Sequence, residues 1–410
     1  MRNFHMKTFG CKVAQYDGDK LREYLIKNGI GENENAQFLI INGCAVTKRA
    51  ESKARAFARK YRRNNVDTKI ILYGCIAKKV KNFTSKEDKY WDYAITHEDY
   101  NGFRELFSNE IVQNDSEMGQ QYKISQKRIR PFIKIHDGCN QFCDYCIVPH
   151  LRGRERSIAP ETIIEEIQKY QDRQEIVLTG IHIGRYDYDG DNLANLLEKI
   201  LHRTTINQIR LSSIEPNEFS EELLDIFSSN KRIARYLHIP LQSGSDRILK
   251  KMGRPYSSSD FIELINNIKK RNPETSIGTD VIIGYPEETN RDFEKSYLLL
   301  DKLPIYNIHQ FGYSARPGTG SFDKHQAYTG EERKVRIEKI NKLRQKKKHD
   351  FMKKYIHKKQ NYLVEQYDGK YYYGTSSNYI QFLSDLPGLE IGKQYSLAGI
   401  KIIGDKLLCR

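Results

Sequence analysis

Near the amino terminus a short apolar run stops at a glycine, turns at a cysteine and gives way to a helical stretch, three times over. Asn3 to Phe9 reads as a strand, followed by Gly10-Cys11 and an amphipathic run from Val13 to Lys27. Phe38-Leu39-Ile40-Ile41 precedes Asn42-Gly43-Cys44 and a basic helix reaching about Arg63. Ile70-Ile71-Leu72-Tyr73 precedes Gly74-Cys75 and a further run from Lys78. Strands alternating with helices predict a parallel sheet, whose ligands gather at the carboxyl ends of its strands. All three thiols then lie on one edge.

A longer alternation begins at Phe132-Ile133-Lys134-Ile135. Strands at Glu175 to Leu178, Ile209 to Leu211, Leu237 to Leu241, Val281 to Ile283 and Tyr306 to Phe311 are separated by helical runs. Those runs are Glu161 to Tyr170, Leu193 to Leu201, Glu221 to Ser228, Phe261 to Arg271 and Phe293 to Leu300. Repeated βα units of this length predict a barrel, open or closed. From Tyr362 the pattern changes to short strands, at Tyr362 to Gln366, Lys370 to Gly374, Tyr379 to Leu383, Tyr395 to Ala398 and Lys401 to Ile403. Asp368-Gly369, Pro387-Gly388 and Gly404-Asp405 punctuate them, which predicts a small β-barrel. The fold class is therefore α/β: an amino-terminal parallel-sheet domain (1–120), a central partial (βα)6 barrel (125–345) and a carboxy-terminal barrel (346–410). The polar text from Asn101 to Gln126 reads as a linker.

Charge narrows the class of partner. The 410 residues hold 68 Lys and Arg against 53 Asp and Glu, a net +15. Basic surface attracts phosphate whatever its sequence, so a nucleic acid is the economical partner. Lys48, Arg49, Lys53, Arg55, Arg59, Lys60, Arg62 and Arg63 put part of this charge on one helix, as a phosphate-facing patch or a solvated face. Tyr371, Tyr372, Tyr373 and Tyr379 beside lysines suit stacking on exposed bases, or a small core of tyrosines. No stretch approaches the apolar length of a membrane span, and no apolar run follows Met1-Arg2-Asn3-Phe4-His5 as in a signal peptide. A cytoplasmic location is expected, where the 7 cysteines stay reduced and serve metal or catalysis.

The second cysteine trio is compact. Cys139, Cys143 and Cys146 follow a C-x3-C-x2-C spacing that lets one loop aim three sulfurs at one point. Thiolates hold iron–sulfur clusters, and three protein ligands leave one iron of a cubane open. A zinc loop or buried thiols is the alternative; structural zinc normally takes four ligands. Cys11, Cys44 and Cys75 form a second candidate trio, and Cys409 is left over. The barrel strands end in unusual residues, among them Gly180, His182, Ser213, Glu215, His238, Gln242, Asp280 and His309. Barrel strand ends carry catalytic groups. Gly180 allows close backbone approach, and Ser213, Glu215 and Gln242 offer hydrogen bonds to a ribose and an amino-acid end. The three histidines suit proton handling, packing or substrate contact.

The trio at Cys139, with Tyr145 before its last member, resembles the radical S-adenosylmethionine (SAM) superfamily. Asp137 to Pro149, continued by Arg152-Gly153-Arg154, resembles the methylthiotransferase family within it. The chain is most similar to the branch that thiomethylates N6-threonylcarbamoyladenosine beside the anticodon of tRNA. Thr8-Phe9-Gly10-Cys11-Lys12-Val13, Asn42-Gly43-Cys44-Ala45-Val46-Thr47 and Gly74-Cys75 resemble the family's amino-terminal signatures, with Ala14 where the pattern has Asn. The resemblance implies two [4Fe-4S] clusters, one on Cys139, Cys143 and Cys146 and an auxiliary one on Cys11, Cys44 and Cys75. It implies SAM held by Tyr145, Gly180, Ser213, Glu215 and Gln242, with the backbone of Tyr145 against the adenine. It implies radical C–H activation, sulfur insertion and methyl transfer from a second SAM. Expected partners are the tRNA anticodon loop, gripped by a carboxy-terminal TRAM barrel (OB-like), and an electron donor such as flavodoxin or ferredoxin. Isopentenyladenosine in tRNA and an aspartate of a ribosomal protein are alternative targets. A metal-stabilised RNA-binding protein without catalysis is a reading of another class.

Overall fold

A computed structural model describes residues 3–83, 90–107, 128–324 and 329–410. The amino-terminal sheet holds β1 (Asn3–Phe9), β2 (Gly31–Glu32), β3 (Phe38–Gly43), β4 (Lys69–Tyr73) and β5 (Tyr93–Ile95), all parallel in the order β2-β1-β3-β4-β5. Helices α1 (Lys12–Lys27), α2 (Lys48–Asn64), α3 (Cys75–Phe83) and α4 (Tyr100–Leu106) connect and cover it. Successive strand residues point to opposite faces. Ile40 therefore packs with Phe4, Leu21 and Phe103, while Leu39 and Ile41 pack with Ala54, Ala58 and Ile76 on the other face. The expected linker from Asn101 to Gln126 begins instead inside α4, and most of it lies outside the described residues.

The central domain runs β6 (Phe132–Asp137), α5 (Val148–Arg152), β7 (Arg156–Ser157), α6 (Pro160–Gln168), β8 (Glu175–Gly180), the hairpin β9 (Asp187–Tyr188) and β10 (Asp191–Asn192), then α7 (Leu193–Arg203) and β11 (Gln208–Leu211). It continues through α8 (Glu221–Ser229), β12 (Tyr236–His238), α9 (Asp246–Lys251), α10 (Ser258–Arg271), β13 (Ser276–Ile283), α11 (Asn290–Lys302), β14 (Asn307–Gly312) and α12 (Gly330–Lys353). Parallel pairing gives β6-β8-β11 and β12-β13-β14. The two arcs join where Ile209 bridges Ile233 and hydrogen-bonds Arg232 and Ala234. Among the described residues β14 does not pair with β6, so the six strands form a partial barrel. Isoleucine and leucine from strands and outer helices fill one continuous core. Side-chain caps at Asn192, Ser220, Ser257, Thr289 and Thr329 start α7, α8, α10, α11 and α12.

The carboxy-terminal domain is a closed barrel of β15 (Lys359–Tyr367), β16 (Tyr372–Ser376), β17 (Gln381–Ser384), β18 (Gln394–Ile403) and β19 (Lys406–Cys409), ordered β15-β16-β17-β19-β18. Two expected strands, Tyr395 to Ala398 and Lys401 to Ile403, are one. A bulge between Gly399 and Lys401 bends β18 without ending it. Gly399 is needed there because a Cβ would lie 2.4 Å from the Tyr355 carbonyl oxygen. The remaining strand, β19, buries Cys409 in the barrel core. Tyr379 is not a free stacking platform. Its ring stacks at 4.4 Å on Tyr236 and lies under Arg210 and Arg130 at the junction with the central domain. Among the described residues no helix is long and apolar enough to cross a membrane.

Arg210 ties the two barrels together. It pairs with Glu175 at 2.7 Å and donates to the carbonyl oxygens of Ser376 and Ser377, each at 3.2 Å. Removing one partner of a buried pair leaves an uncompensated charge and typically costs about 3–5 kcal/mol. Arg210→Ala is expected to lose stability on that scale, read as the urea unfolding midpoint, and to release the small barrel faster under limited proteolysis.

Candidate active site between the two cysteine trios

Cys11, Cys44 and Cys75 meet because register makes them meet. Phe9 pairs with Gly43, and Asn42 with Tyr73, so β1, β3 and β4 end level. The Cys44 amide donates to the Phe9 carbonyl at 2.7 Å, which pulls the second loop onto the first. Gly10 packs so tightly that a Cβ there would stand 3.2 Å from the Cys44 Cβ. Ala14, buried, would lie 2.8 Å from that same Cβ, and its carbonyl accepts from Asn42 at 2.5 Å. Burial pushes the Cys44 thiol up to about 12, and its neighbours Cys11 and Cys75 add to this.

The other trio folds within one loop. Gly138 has φ +72, and the Cys139 amide donates to the Gly153 carbonyl at 3.1 Å. The Cys146 amide donates to the Cys143 carbonyl at 2.9 Å, and the Asp144 amide to Met252 at 3.1 Å. Burial pushes Cys146 up to about 12, with Cys143 and Cys139 adding. Among the described residues no three His, Cys, Asp or Glu side chains close on a single metal ion. A cubane does not ask for that, since its thiolates bind different irons. Cys44, Cys143 and Cys146, held protonated by burial, fit a cationic core that would take their protons away.

The loops that carry the two trios pack on one another. Ala45, after Cys44, packs on Ile147 and Leu151, after Cys146, with Cys75 alongside. Arg316, beyond β14, donates to the Val46 carbonyl at 3.1 Å and pairs with Glu51 at 2.9 Å. Helix α1 lies against β6 and β8. Lys12, next to Cys11, is exposed by its own surface, yet surrounding protein holds its ammonium below the usual range. The charges acting on it are Cys11, Arg210, Arg130 and Asp280. Asp280 and Arg210 sit on barrel strands, so the field at Lys12 comes from both domains.

The expected SAM residues lie at the strand ends with different surroundings. Tyr145 packs against the cluster of Ile248, Met252, Ile282, Tyr285 and Tyr313. Ser213 is exposed at the end of β11, beside a buried Ser212 hydroxyl without a partner among the described residues. Gly180 is required by the protein itself, since a Cβ would lie 2.7 Å from the His136 carbonyl oxygen. Glu215 pairs with Arg254, which donates to Cys143 Sγ at 3.2 Å and to the Tyr256 hydroxyl at 3.1 Å. Gln242 takes φ +63, a left-handed conformation uncommon for a side-chain-bearing residue and frequent where function holds strain. Its amide donates to Asp280 and its carbonyl accepts from Ile282, both at 2.9 Å.

The histidines divide. His182 sits 3.4 Å from Cys139 Sγ and 2.7 Å from Glu218. Burial opposes its charge, but those two partners raise it to about 9. His238 is held by Asp280 at 2.9 Å and by Tyr236 at 3.1 Å, and stands 5.3 Å from the His309 ring. Burial lowers His309 to about 4.

Sequence reasoning passed over Arg152, Arg254, Asp17, Lys134 and Asp137 as site residues. Arg152 and Asp137 stood inside the string that framed the Cys139 loop. On α2, part of the basic run is spent on packing: Arg55 pairs with Glu51 and lies over Trp91, and Arg62 pairs with Asp92 at 2.6 Å. Lys48, Arg49, Lys53, Arg59, Lys60 and Arg63 remain exposed.

Comparison with known proteins fits this geometry. Residues 133–300 match the radical SAM superfamily, and residues 3–96 match the family described as Uncharacterized protein family UPF0004. The threonylcarbamoyladenosine tRNA methylthiotransferase of Thermotoga maritima is 33% identical over 97% of this chain and 94% of its own length. The chain belongs to the radical SAM methylthiotransferase family. The tRNA-2-methylthio-N(6)-dimethylallyladenosine synthase of Natranaerobius thermophilus is 32% identical over 84% of this chain and 81% of its own. The family's tRNA methylthiolation thus covers both kinds of relative. Among solved structures, a radical SAM methyltransferase of Kitasatospora setae, with cobalamin and a [4Fe-4S] cluster bound, superposes at TM-score 0.58 and 14% identity, covering 78% of this chain and 77% of that one. That likeness is one of fold.

Gly138 offers a test of the loop. A Cβ there would stand 1.9 Å from the Arg154 carbonyl oxygen, whereas Gly29, φ +81, has nothing within 4 Å. The left-handed strain alone costs an alanine about 1–2 kcal/mol at either site. Gly138→Ala is expected to lose more stability than Gly29→Ala in urea and to abolish SAM-dependent turnover, which Gly29→Ala retains.

Proposed function

We propose that this methylthiotransferase converts N6-threonylcarbamoyladenosine, beside the anticodon of tRNA, to its 2-methylthio derivative. In this reading Cys139, Cys143 and Cys146 hold one [4Fe-4S] cluster, and Cys11, Cys44 and Cys75 hold the other. Tyr145, Gly180, Ser213, Glu215 and Gln242 receive SAM. When bound, the first centre would supply the electron that cleaves SAM for hydrogen abstraction, the second would supply the sulfur that replaces this hydrogen at C2 of the adenine, and a second SAM would supply the methyl group. The chain's own task is to hold a splayed-out base between them and keep water away. The closed carboxy-terminal barrel and the exposed cations of α2 suit the tRNA backbone. The electron donor in this reading is a flavodoxin or a ferredoxin, and the setting is the cytoplasm.

The choice of base rests on Lys12. Arg130 and Arg210 are neutralised by Glu175 and Glu365, and Asp280 is engaged by His238. Lys12 has no carboxylate within ion-pair distance among the described residues. A cation beside Cys11 without a carboxylate partner suits a base substituent ending in a carboxylate, as the threonylcarbamoyl group does. The isopentenyl group is apolar and leaves Lys12 without a counter-ion, a desolvation cost with no return. An aspartate of a ribosomal protein makes no use of the basic surface.

Two measurements follow. Nucleosides from a deletion strain, separated by mass spectrometry, are expected to lose the methylthio mark on the threonylcarbamoyl nucleoside and keep it on the isopentenyl one; the reverse would refute the assignment. A hydrogen bond to a charged group is worth about 1.5–3 kcal/mol. Lys12→Met is accordingly expected to lower kcat/KM for threonylcarbamoyl tRNA roughly ten- to a hundredfold, with the iron content of the protein unchanged. An unaltered kcat/KM would remove Lys12 from substrate recognition.

A further inference from the structure

Arg152 is 1% exposed and lies at the end of α5, the helix that follows Cys146. Its guanidinium does not serve its own loop alone. Nε donates to Cys75 Sγ, in the amino-terminal domain, at 3.2 Å. Nη1 lies 2.7 Å from Asp17 on α1 and 3.2 Å from Asp137, at the end of β6. Lys134 meets the same two carboxylates at 2.7 and 3.1 Å. Arg156 also approaches Asp137, at 3.7 Å, and the Nε edge of Arg152 is left for the sulfur. A planar fork with fixed donors suits this three-way contact, and a lysine cannot reproduce it.

Each trio thus has a guanidinium donating to one thiol, but the sources differ. At Cys143 the donor is Arg254, from the same domain. At Cys75 it is Arg152, delivered from the other domain by the loop that carries Cys139, Cys143 and Cys146. Hydrogen bonds to cluster sulfurs and nearby charge set reduction potential, and outer partners tune what the ligands bind. Resting on the two-cluster reading above, we infer that Arg152 is a positioning residue that raises the reduction potential of the cluster on Cys11, Cys44 and Cys75. The inference makes that cluster's potential depend on the docking of the two domains. An amino-terminal domain swung away from the barrel would lose the donor, so in this inference the centre reaches its working potential only where the two domains are docked.

The test is an EPR-monitored redox titration of the anaerobically reconstituted full-length protein, wild type against Arg152→Gln and Arg152→Lys. The Cys139→Ala background isolates the signal of the amino-terminal cluster, and Cys11→Ala isolates the other. Arg152→Gln is expected to lower the amino-terminal midpoint, so that the reduced fraction at fixed poise falls about tenfold, or about 59 mV for a one-electron couple. Arg152→Lys is expected to fall between, and the midpoint of the cluster on Cys139, Cys143 and Cys146 to stay in place. Two intact clusters with unmoved midpoints would overturn the inference, as would equal shifts at both. If Arg152→Gln does not retain its amino-terminal iron, Arg152→Lys decides: an intermediate midpoint supports tuning, and loss of the iron there too makes Arg152 purely structural. A wild type with a single EPR-active cluster would overturn the two-cluster reading and this inference with it, whereas two clusters with unmoved midpoints overturn this inference alone.

Discussion

The architecture depends on one buried knot of charge. Arg152, Lys134, Asp17 and Asp137 come from α5, β6 and α1, and their contacts close within 2.7–3.2 Å. Burial works against Asp137, but Lys134 and Arg152 hold its carboxyl well below the usual range. Removing any one of the four would leave an uncompensated charge in a low-dielectric interior. Such a knot adds little net stability over an apolar core, but it tolerates only one relative placement of its parts. Here the parts are the first helix of one domain and the first strand and cysteine loop of the next. That placement sets the loop of Cys139, Cys143 and Cys146 against Cys75.

Around this knot the apolar packing is ordinary and the polar packing is not. Isoleucine and leucine seal the space between strands and outer helices. On adjacent barrel strands, where closed barrels carry branched aliphatic side chains, this chain places His238, Asp280 and His309 in mutual contact. A polar interior weakens the core it interrupts. That cost is offset by the large apolar shell outside the strands and by two domains packed on the barrel: α1 against the strands β6 and β8, and the small barrel at Arg210 and Tyr379. The strained Gln242 belongs to the same pattern, since its backbone is clamped between Asp280 and Ile282.

What could be read from the sequence was what repeats over short range. Strand–glycine–cysteine units place Cys11, Cys44 and Cys75 on one sheet edge because parallel register levels the strand ends. The six barrel strands were legible from the alternation of apolar runs and amphipathic helices. The bulge at Gly399 was not, because a glycine inside a strand looks the same as a strand end. Tyr379 looked like a base platform because composition cannot say which face of an aromatic ring is already covered. Arg152 and Asp17, 1% and 6% exposed, are far apart in sequence. Their pairing exists only after two domains dock, so no local pattern announces it. The charge on α2 was visible, but not that Arg55 and Arg62 are spent on packing.

The central proposal is spatial: two iron–sulfur cores face one cavity, held there by the charge knot. Crystals of the anaerobically reconstituted protein, measured at the iron absorption edge, test it most directly. The account predicts two anomalous peaks, one beside Cys11, Cys44 and Cys75 and one beside Cys139, Cys143 and Cys146, facing one another. A single peak, or two peaks opening onto opposite sides of the molecule, would contradict it.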